Sequence, residues 1–200
     1  PNNIQENYGF RRSNCFDYVR EECCAVRERV GLIDLSSFSK FEVAGPDAYS
    51  FLTRICTNSI PTIDGNIVLT EMLTEDGGIE SESTVVRLSS DRYYILSGAS
   101  AEIHDFDWMH DHILHEEVIE ISKLTEDIGV FLLTGPNSRD VLSALTQSDL
   151  TNEGGFTWMT SRDIKVANVP VRAMRISYAG ELGWELHHPM SQMHVLYNEL

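Results

Sequence analysis

The segment FEVAGPDAYSFLTRI, residues 41–55, decides the fold because a similar segment occurs later in the chain. The second copy is FLLTGPNSRDVLSAL, residues 131–145, at an offset of 90 residues that aligns Gly45-Pro46 with Gly135-Pro136. Each copy is typical of a strand, a Gly-Pro turn and a helix. A proline at the first helical position loses no needed N–H group, and Asp47 or Asn137 just after it caps the helix or favours its positive end.

The repeat continues at the same offset, since YYILSGASAEIHDF at 93–106 aligns with GWELHHPMSQMHVL at 183–196. Each unit is therefore predicted to run as strand, turn, helix, two or more strands, another strand and another helix. We predict an α+β fold made of duplicated units, with helices stacked on antiparallel sheet. No G-x-G-x-x-G follows a strand, which argues against a Rossmann site for flavin or nicotinamide in this segment.

A predicted hairpin carries the candidate site. The alternating run VPVRAMRISY, residues 169–178, predicts a strand, and WELHH, starting at Trp184, predicts a second one. Between them lies YAGELGWEL, residues 178–186, where Gly180 and Gly183 allow a tight reversal. One interpretation is an ordinary hairpin with a solvated Glu181. The other is an inward glutamate that accepts hydrogen bonds from a planar heterocycle, because a buried carboxylate must be paired.

Charge limits the classes of partner. The chain has 31 acidic and 15 basic residues and a net charge of −16. This balance argues against nucleic acid, which needs a basic footprint, and against an anionic membrane surface. No apolar run approaches the roughly 20 residues that span a bilayer.

Cysteine and histidine patterns point away from metal. The cysteines lack a C-x-x-C pair and suit neither a zinc site nor a disulfide framework, so we expect free thiols in a reducing compartment. His104, His110 and His112 alternate with aspartates in a probable helix. We interpret this segment as a solvated acidic face and predict no metal site, since neighbouring residues do not share a helix face.

Three blocks in order resemble the glycine-cleavage T-protein family, the tetrahydrofolate-dependent aminomethyltransferases. They are VGLIDLSSFSKFEVAGPDAYSFL at 30–52, LTEDGGIESESTVVRL at 73–88 and the hairpin at 178–186. The leader YGFRRSNCFDYVREECCAVRE at 8–28 is similar to the junction that precedes this domain in dimethylglycine and sarcosine dehydrogenases. In those proteins a flavin domain comes first, so FAD is expected only in a possible preceding domain.

The resemblance implies two α+β lobes with folate in a channel between them and a C-terminal β-barrel that this chain lacks. It implies a leader at 1–28, a first lobe from 29–56 plus 124–200, and a second lobe from 57–123. The last segment, MSQMHVLYNEL, predicts an amphipathic helix with no capping signal. We expect about half of a full family domain, including the barrel and its folate-contacting arginine, to be missing here.

The resemblance also assigns site residues. The family's tyrosine and glutamate that contact the pterin, seven residues apart, match Tyr178 and Glu185. Glu82 stands where the family has an aspartate at the folate amine, and Leu69 stands where many members have a tyrosine that stacks on the pterin. The aspartate stabilises positive charge on nitrogen, so a longer carboxylate weakens catalysis before binding. Alternatively, Glu80 and Glu82 are both outward residues of a plain hairpin.

The resemblance implies an enzyme domain that captures a one-carbon unit from a small N-methyl amine on tetrahydrofolate. One alternative is a non-catalytic folate-binding or regulatory module, similar to the regulatory subunit of pyruvate dehydrogenase phosphatase. Another is a glycine-cleavage aminomethyltransferase, whose chains begin close to the VGL block and lack this leader. The expected location is the cytoplasm, or the mitochondrial matrix in a eukaryote.

Overall fold

Both repeated segments form the predicted strand and helix. The computed structural model describes residue 5 and residues 7–200. Of the expected leader at 1–28, residues 1–4 and 6 lie outside the described residues. The described helices are α1 Phe16–Glu28, α2 Ala48–Ile55, α3 Glu102–Asp111, α4 Ser138–Leu145 and α5 Met193–Glu199. The described strands are β1 Gly31–Asp34, β2 Ser39–Ala44, β3 Ile67–Leu73, β4 Ile79–Ser89, β5 Arg92–Ser97, β6 Glu120–Lys123, β7 Ile128–Thr134, β8 Ser161–Val166, β9 Val169–Met174 and β10 Gly183–Pro189.

The strands form two antiparallel sheets with equivalent order. Sheet A runs β1-β7-β10-β9-β8, and sheet B runs β6-β2-β5-β4-β3. Strands β2 and β7 are the repeated strands, and each lies second from an edge. The predicted duplication of an antiparallel sheet-plus-helix unit is therefore confirmed.

The two units exchange their edge strands. Strand β1 precedes β2 in the chain but pairs with β7, and β6 precedes β7 but pairs with β2. The repeated glycines make room for this exchange. Gly45 has φ +140° and Gly135 has φ +126°, and a Cβ atom would collide with the Val118 carbonyl oxygen at Gly45 and with the Arg29 carbonyl oxygen at Gly135. Each glycine thus leaves room for the segment that leads into the exchanged edge strand: β6 beside Gly45 in sheet B, and β1 beside Gly135 in sheet A.

The exchange changes the expected grouping of residues. Of the segment 29–56, only β1 lies in the sheet formed from 124–200. Strand β2 and helix α2 pack instead with the strands of 57–123, through Phe41, Phe51 and Leu52. The physical reason is that strand pairing follows the exchanged edges and not chain order.

Helix starts differ from the prediction in one detail. Asp47 and Asn137 hold the N-cap positions, so each proline precedes the cap and does not lie at the first helical position. Neither cap side chain bonds to its own helix. Asp47 Oδ2 instead accepts a hydrogen bond from the Val118 N–H group at 2.9 Å, which fastens the segment leading into β6.

Three apolar clusters divide the molecule into layers. Helices α2 and α3 cover the outer face of sheet B, and α4 and α5 cover the outer face of sheet A. The inner faces of the two sheets meet in the third cluster, whose fully or nearly fully buried members are Ile67, Val86, Tyr94, Leu96, Met174 and Ile176. This α/β/β/α stacking places the space between the sheets at the centre of the chain.

The hairpin at 178–186 is wider than predicted. Strand β9 ends at Met174 and not at Tyr178, while β10 begins at Gly183, one residue before the predicted start at Trp184. The backbone leaves the sheet because Arg175 bonds through its N–H and carbonyl to Thr160 and Met159. In the resulting loop only Gly180 has positive φ, at +79°.

The end of the chain follows the amphipathic pattern in part. In α5, Leu196 is buried and Met193 packs against the core, whereas Val195 is 53% exposed. The helix is preceded by a short 3-10 turn. No helix within the described residues is long and apolar enough to cross a membrane.

Candidate functional site

A cavity of about 200 Å³ opens between the inner faces of the two sheets. It is lined by Phe38, Leu69, Glu82, Ser83, Thr84, Leu96, Ser97, Gly98 and Tyr178. Leu69 on β3 lies directly opposite Thr84 on β4, so the two side chains share one face of sheet B. Three of the four predicted site residues, Leu69, Glu82 and Tyr178, therefore meet at one cavity.

A β-bulge decides which way the glutamates of β4 point. Met72 pairs with Ser81 and Leu73 pairs with Ile79, which leaves Glu80 as an extra residue on its strand. Glu80 contacts His104 of α3 on the outer side, at 2.8 Å from Oε1 to Nε2. Glu82 lines the inner cavity while remaining exposed. The two glutamates therefore do not share one face of a plain hairpin, and the catalytic role of Glu82 stays a prediction.

The same helix corrects a second expectation. Asp105 of α3 does not lie on a solvated face, because it is only 2% exposed and contacts His104 at 3.1 Å. The described residues contain no group of three or more side chains placed to hold a metal ion.

Tyr178 forms one wall of the cavity. Its ring stacks on Phe38, with centroids 6.3 Å apart and planes at 30°, and its hydroxyl shares a hydrogen bond with Thr84 Oγ1 at 3.4 Å. Burial raises the pKa of Tyr178, and the negative charges of Glu185 and Glu82 act in the same direction. Tyr178 is nevertheless 59% exposed, so a ligand can reach the face of its ring.

Glu185 lies deeper than the other predicted residues. It is 3% exposed, and the described lining of the cavity does not include it. Its Oε2 atom accepts a hydrogen bond from His187 Nε2 at 3.1 Å, and His187 Nδ1 contacts the Tyr94 hydroxyl at 3.0 Å. The carboxylate is thus paired inside the protein, as a buried charge must be.

A buried lysine lies near the same carboxylate. Lys40 is fully buried and donates from Nζ to the carbonyl oxygens of Ser36 and Phe38, at 2.9 and 2.7 Å. Burial lowers the pKa of Lys40 to about 8, although the charges of Glu102, Asp34 and Glu185 oppose this shift. The ammonium therefore holds the turn that carries Phe38 into the cavity wall.

One residue at the edge of the cavity has a buried hydroxyl, Ser97 Oγ, with no hydrogen-bond partner within the described part of the chain. Ser97 follows Leu96, whose side chain belongs to the inner apolar cluster, so the Ser97 side chain lies on the other face of β5 and does not enter the cavity. Together, a stacking ring and nearby carboxylates suit a flat ligand with N–H donors. The volume is below the roughly 300–1,000 Å³ of a complete ligand pocket and suits one ring system.

Sequence reasoning assigned no role to Lys40, Tyr94 or His187. For His187 a signal existed, because it lies two residues after Glu185 and a strand places such residues on one side. For Lys40 the signal was a charge alternating with Phe41 and Val43 in β2. Tyr94 gave no signal, since its partner comes from the other sheet.

Comparison with known proteins places these features in a family context. The family model described as "GCVT N-terminal domain" matches residues 2–200. Dimethylglycine dehydrogenase of Rattus norvegicus is 38% identical over 192 residues, which cover 96% of this chain and 22% of that protein. An aminomethyltransferase of Anoxybacillus flavithermus is 35% identical and is matched over 86% of this chain and 46% of its own length.

A solved structure shows the same fold. The aminomethyltransferase T of the glycine cleavage system from Bartonella henselae superposes with a TM-score of 0.78, at 23% identity, over 90% of this chain and 47% of that one. These matches confirm the resemblance drawn from the three sequence blocks. The chain spans about a fifth of the length of the dehydrogenase it matches and about half of the aminomethyltransferase.

Proposed function

Because this chain belongs to the GCVT N-terminal domain family, we propose that it forms the folate-binding part of a protein that captures a one-carbon unit on tetrahydrofolate. The observation that carries the proposal is the cavity between the sheets, where Leu69, Glu82 and Tyr178 meet and where the charge of the buried Glu185 acts on Tyr178. Tetrahydrofolate, when bound, supplies the amine nitrogens that accept the one-carbon unit.

Binding of the heterocycle and stabilisation of the developing charge are assigned to different residues. Tyr178 offers a ring face to the heterocycle, and Glu185 accepts hydrogen bonds from its N–H groups. Glu82 lies on the same cavity and stabilises positive charge that develops at the reacting nitrogen. Leu69 contributes apolar contact but no ring, which removes a stacking interaction of about 0.5–1.5 kcal/mol.

The substrate class follows from the relatives. Dimethylglycine dehydrogenase is named for an N-methyl amine, and we propose a small amine of that kind for this protein. Oxidation of the amine requires a flavin, which we assign to a preceding domain outside this chain. The proposed location is the mitochondrial matrix if the source is a eukaryote, and the cytoplasm otherwise.

The folate assignment is tested by Glu185→Gln in the full-length protein. The substitution keeps the shape of the side chain but removes the charge, which costs about 1.5–3 kcal/mol for a lost charge-assisted hydrogen bond. Titration calorimetry with 5-formyltetrahydrofolate is expected to show affinity lowered by about 10- to 100-fold.

A matched control is Glu181→Gln, since Glu181 lies in the loop just before β10 and pairs with Arg27 at 2.6 Å. We expect this variant to bind like the original protein. Equal affinity of the Glu185→Gln variant and the original protein would contradict the role of Glu185.

A second candidate is a non-catalytic folate-binding or regulatory module. Leu69 favours it, because a side chain that cannot stack on a pterin occupies the cavity wall. The two functions differ in one outcome. A module binds 5-formyltetrahydrofolate but does not increase the rate of formaldehyde capture on tetrahydrofolate, whereas an enzyme domain does both.

A further inference from the structure

A histidine shares the buried side of β10 with the proposed folate ligand. Glu185 and His187 lie two residues apart and therefore point to the same side of the strand. Each is 3% exposed. The histidine also touches sheet B, where Tyr94 of β5 meets its ring edge to face, at 5.4 Å between centroids and 87° between planes.

The hydrogen bonds of His187 have one consistent direction. A carboxylate oxygen only accepts, so the proton in the 3.1 Å contact between His187 Nε2 and Glu185 Oε2 lies on Nε2. A neutral imidazole carries one proton, so Nδ1 is an acceptor. Burial raises the pKa of Tyr94, and its protonated hydroxyl donates to His187 Nδ1 at 3.0 Å.

The surroundings keep this imidazole neutral. Burial lowers the pKa of His187, and the positive charges of Lys40 on β2 and Arg172 on β9 lower it further. Glu185 on the histidine's own strand acts in the opposite direction, and Tyr94 faces the ring from β5. A neutral histidine with a fixed tautomer is a directed donor, and it leaves the other carboxylate oxygen without a hydrogen bond from the described residues.

We propose that His187 is a positioning residue for Glu185: Tyr94 fixes its ring from sheet B, and its Nε2–H group holds Oε2 so that Oε1 is presented to the heterocycle. The inference rests on the proposed function, in which Glu185 contacts the ligand. It goes beyond that function because it makes ligand affinity depend on a contact between the two sheets.

Affinity for 5-formyltetrahydrofolate in the full-length protein tests the role of the donor. His187→Leu removes both ring nitrogens and is expected to weaken binding about tenfold, the loss of one directed hydrogen bond to a charged group. His187→Gln keeps an N–H donor and is expected to recover part of the affinity. Affinity unchanged in the His187→Leu variant overturns the proposal.

The neighbouring histidine provides a matched control. His188 is also buried, but it points to the opposite face of β10 and stacks on Phe131 at 4.9 Å between centroids. His188→Leu is expected to bind the folate within about twofold of the original protein. Equal losses in the His187→Leu and His188→Leu variants would mean that any buried histidine of β10 matters for packing only, which also overturns the proposal.

A second measurement needs no ligand. Nitrogen-15 NMR of histidine-labelled protein is expected to show His187 as the neutral Nε2–H tautomer below about pH 6.5, the ordinary histidine pKa. An Nδ1–H tautomer, or titration at the ordinary pKa, overturns the positioning role even if folate binds. Failure of the original protein to bind 5-formyltetrahydrofolate contradicts the proposed function instead, and with it the presentation of Oε1, while the tautomer result stands separately.

Discussion

At the scale of single residues, the bulge at Glu80 has the largest consequence for chemistry. Without it, Glu80 and Glu82 would lie on the same side of sheet B. With it, Glu80 binds His104 on the helical side, and Glu82 alone faces the cavity that contains Tyr178. Only the Glu82 carboxylate therefore lies on the side where we place the reacting nitrogen.

Substitution of Glu82 tests its proposed role at that nitrogen. Glu82→Asp is expected to preserve or raise the rate of folate-dependent formaldehyde capture, because aspartate restores the family's carboxylate. Glu82→Ala is expected to lower the rate by about 10²-fold, the scale of one preorganised electrostatic group. The rate is measured in the full-length protein with saturating tetrahydrofolate.

Glu80→Ala is the control for this pair, since Glu80 is the same residue type two positions away on the other side of the sheet. It is expected to leave the rate nearly unchanged. If the Glu82→Ala and Glu82→Asp variants both retain the original rate, Glu82 has no part in catalysis and the module becomes the better assignment.

The sequence pattern predicted which residues lie near the cavity but not how deeply each of them is buried. The seven-residue spacing located Tyr178 and Glu185 in one hairpin. Spacing alone does not reveal that Glu185 is 3% exposed or that His187 bonds to it. Burial and partner choice depend on the opposite sheet, whose position is set by long-range packing and not by local pattern.

At the scale of elements, the Gly-Pro turns explain why the two units resemble each other so closely. Both glycines have φ values that L side chains rarely adopt, and both lie against backbone atoms of the segment that enters the exchanged strand. The turn therefore has two functions, which are to reverse the chain into a helix and to admit its neighbour.

Alanine at either glycine is expected to destabilise the fold. Gly45→Ala and Gly135→Ala each impose backbone strain of about 1–3 kcal/mol, with the collision of the Cβ atom added to it. Urea unfolding followed by tryptophan fluorescence measures the free energy of unfolding for each variant.

Gly98→Ala is the matched substitution, because Gly98 has φ −63° and, apart from its chain neighbours, no heavy atom lies within 4 Å of where an added Cβ atom would be. It is expected to change the free energy of unfolding by less than about 1 kcal/mol. Similar losses for all three variants would contradict the role given to the repeated turns.

Element types were readable from the sequence, whereas several element ends were not. The pattern predicted strand, turn and helix at 41–55 and 131–145, and all formed. The run to Tyr178 was predicted as strand but ends at Met174, because the backbone of Arg175 bonds to residues preceding β8. Such competition between partners is invisible to periodicity.

At the scale of the whole molecule, the exchange of edge strands joins the two units into one structure. Each sheet takes four strands from one unit and its edge strand from the other, and the inner faces then pack through Tyr94, Leu96 and Met174. The internal repeat predicted two similar units. It did not predict the exchange, since either β1 or β6 satisfies the local pattern of an edge strand.

The same architecture places Glu185 and His187 from one sheet against Tyr94 from the other. Affinity for a ligand between the sheets is thus linked to how the units pack. The proposed site is thus a position in the molecule, the space between the inner faces, and not a single residue.

A crystal structure of the full-length protein with 5-formyltetrahydrofolate tests this position directly. We expect the pterin ring to lie between the sheets, against the face of Tyr178, with a ring N–H group donating to Glu185 and the Glu82 carboxylate on the side of the one-carbon substituent. A pterin ring bound outside this space, or bound within it without contact to Glu185, would show that the site is wrongly placed.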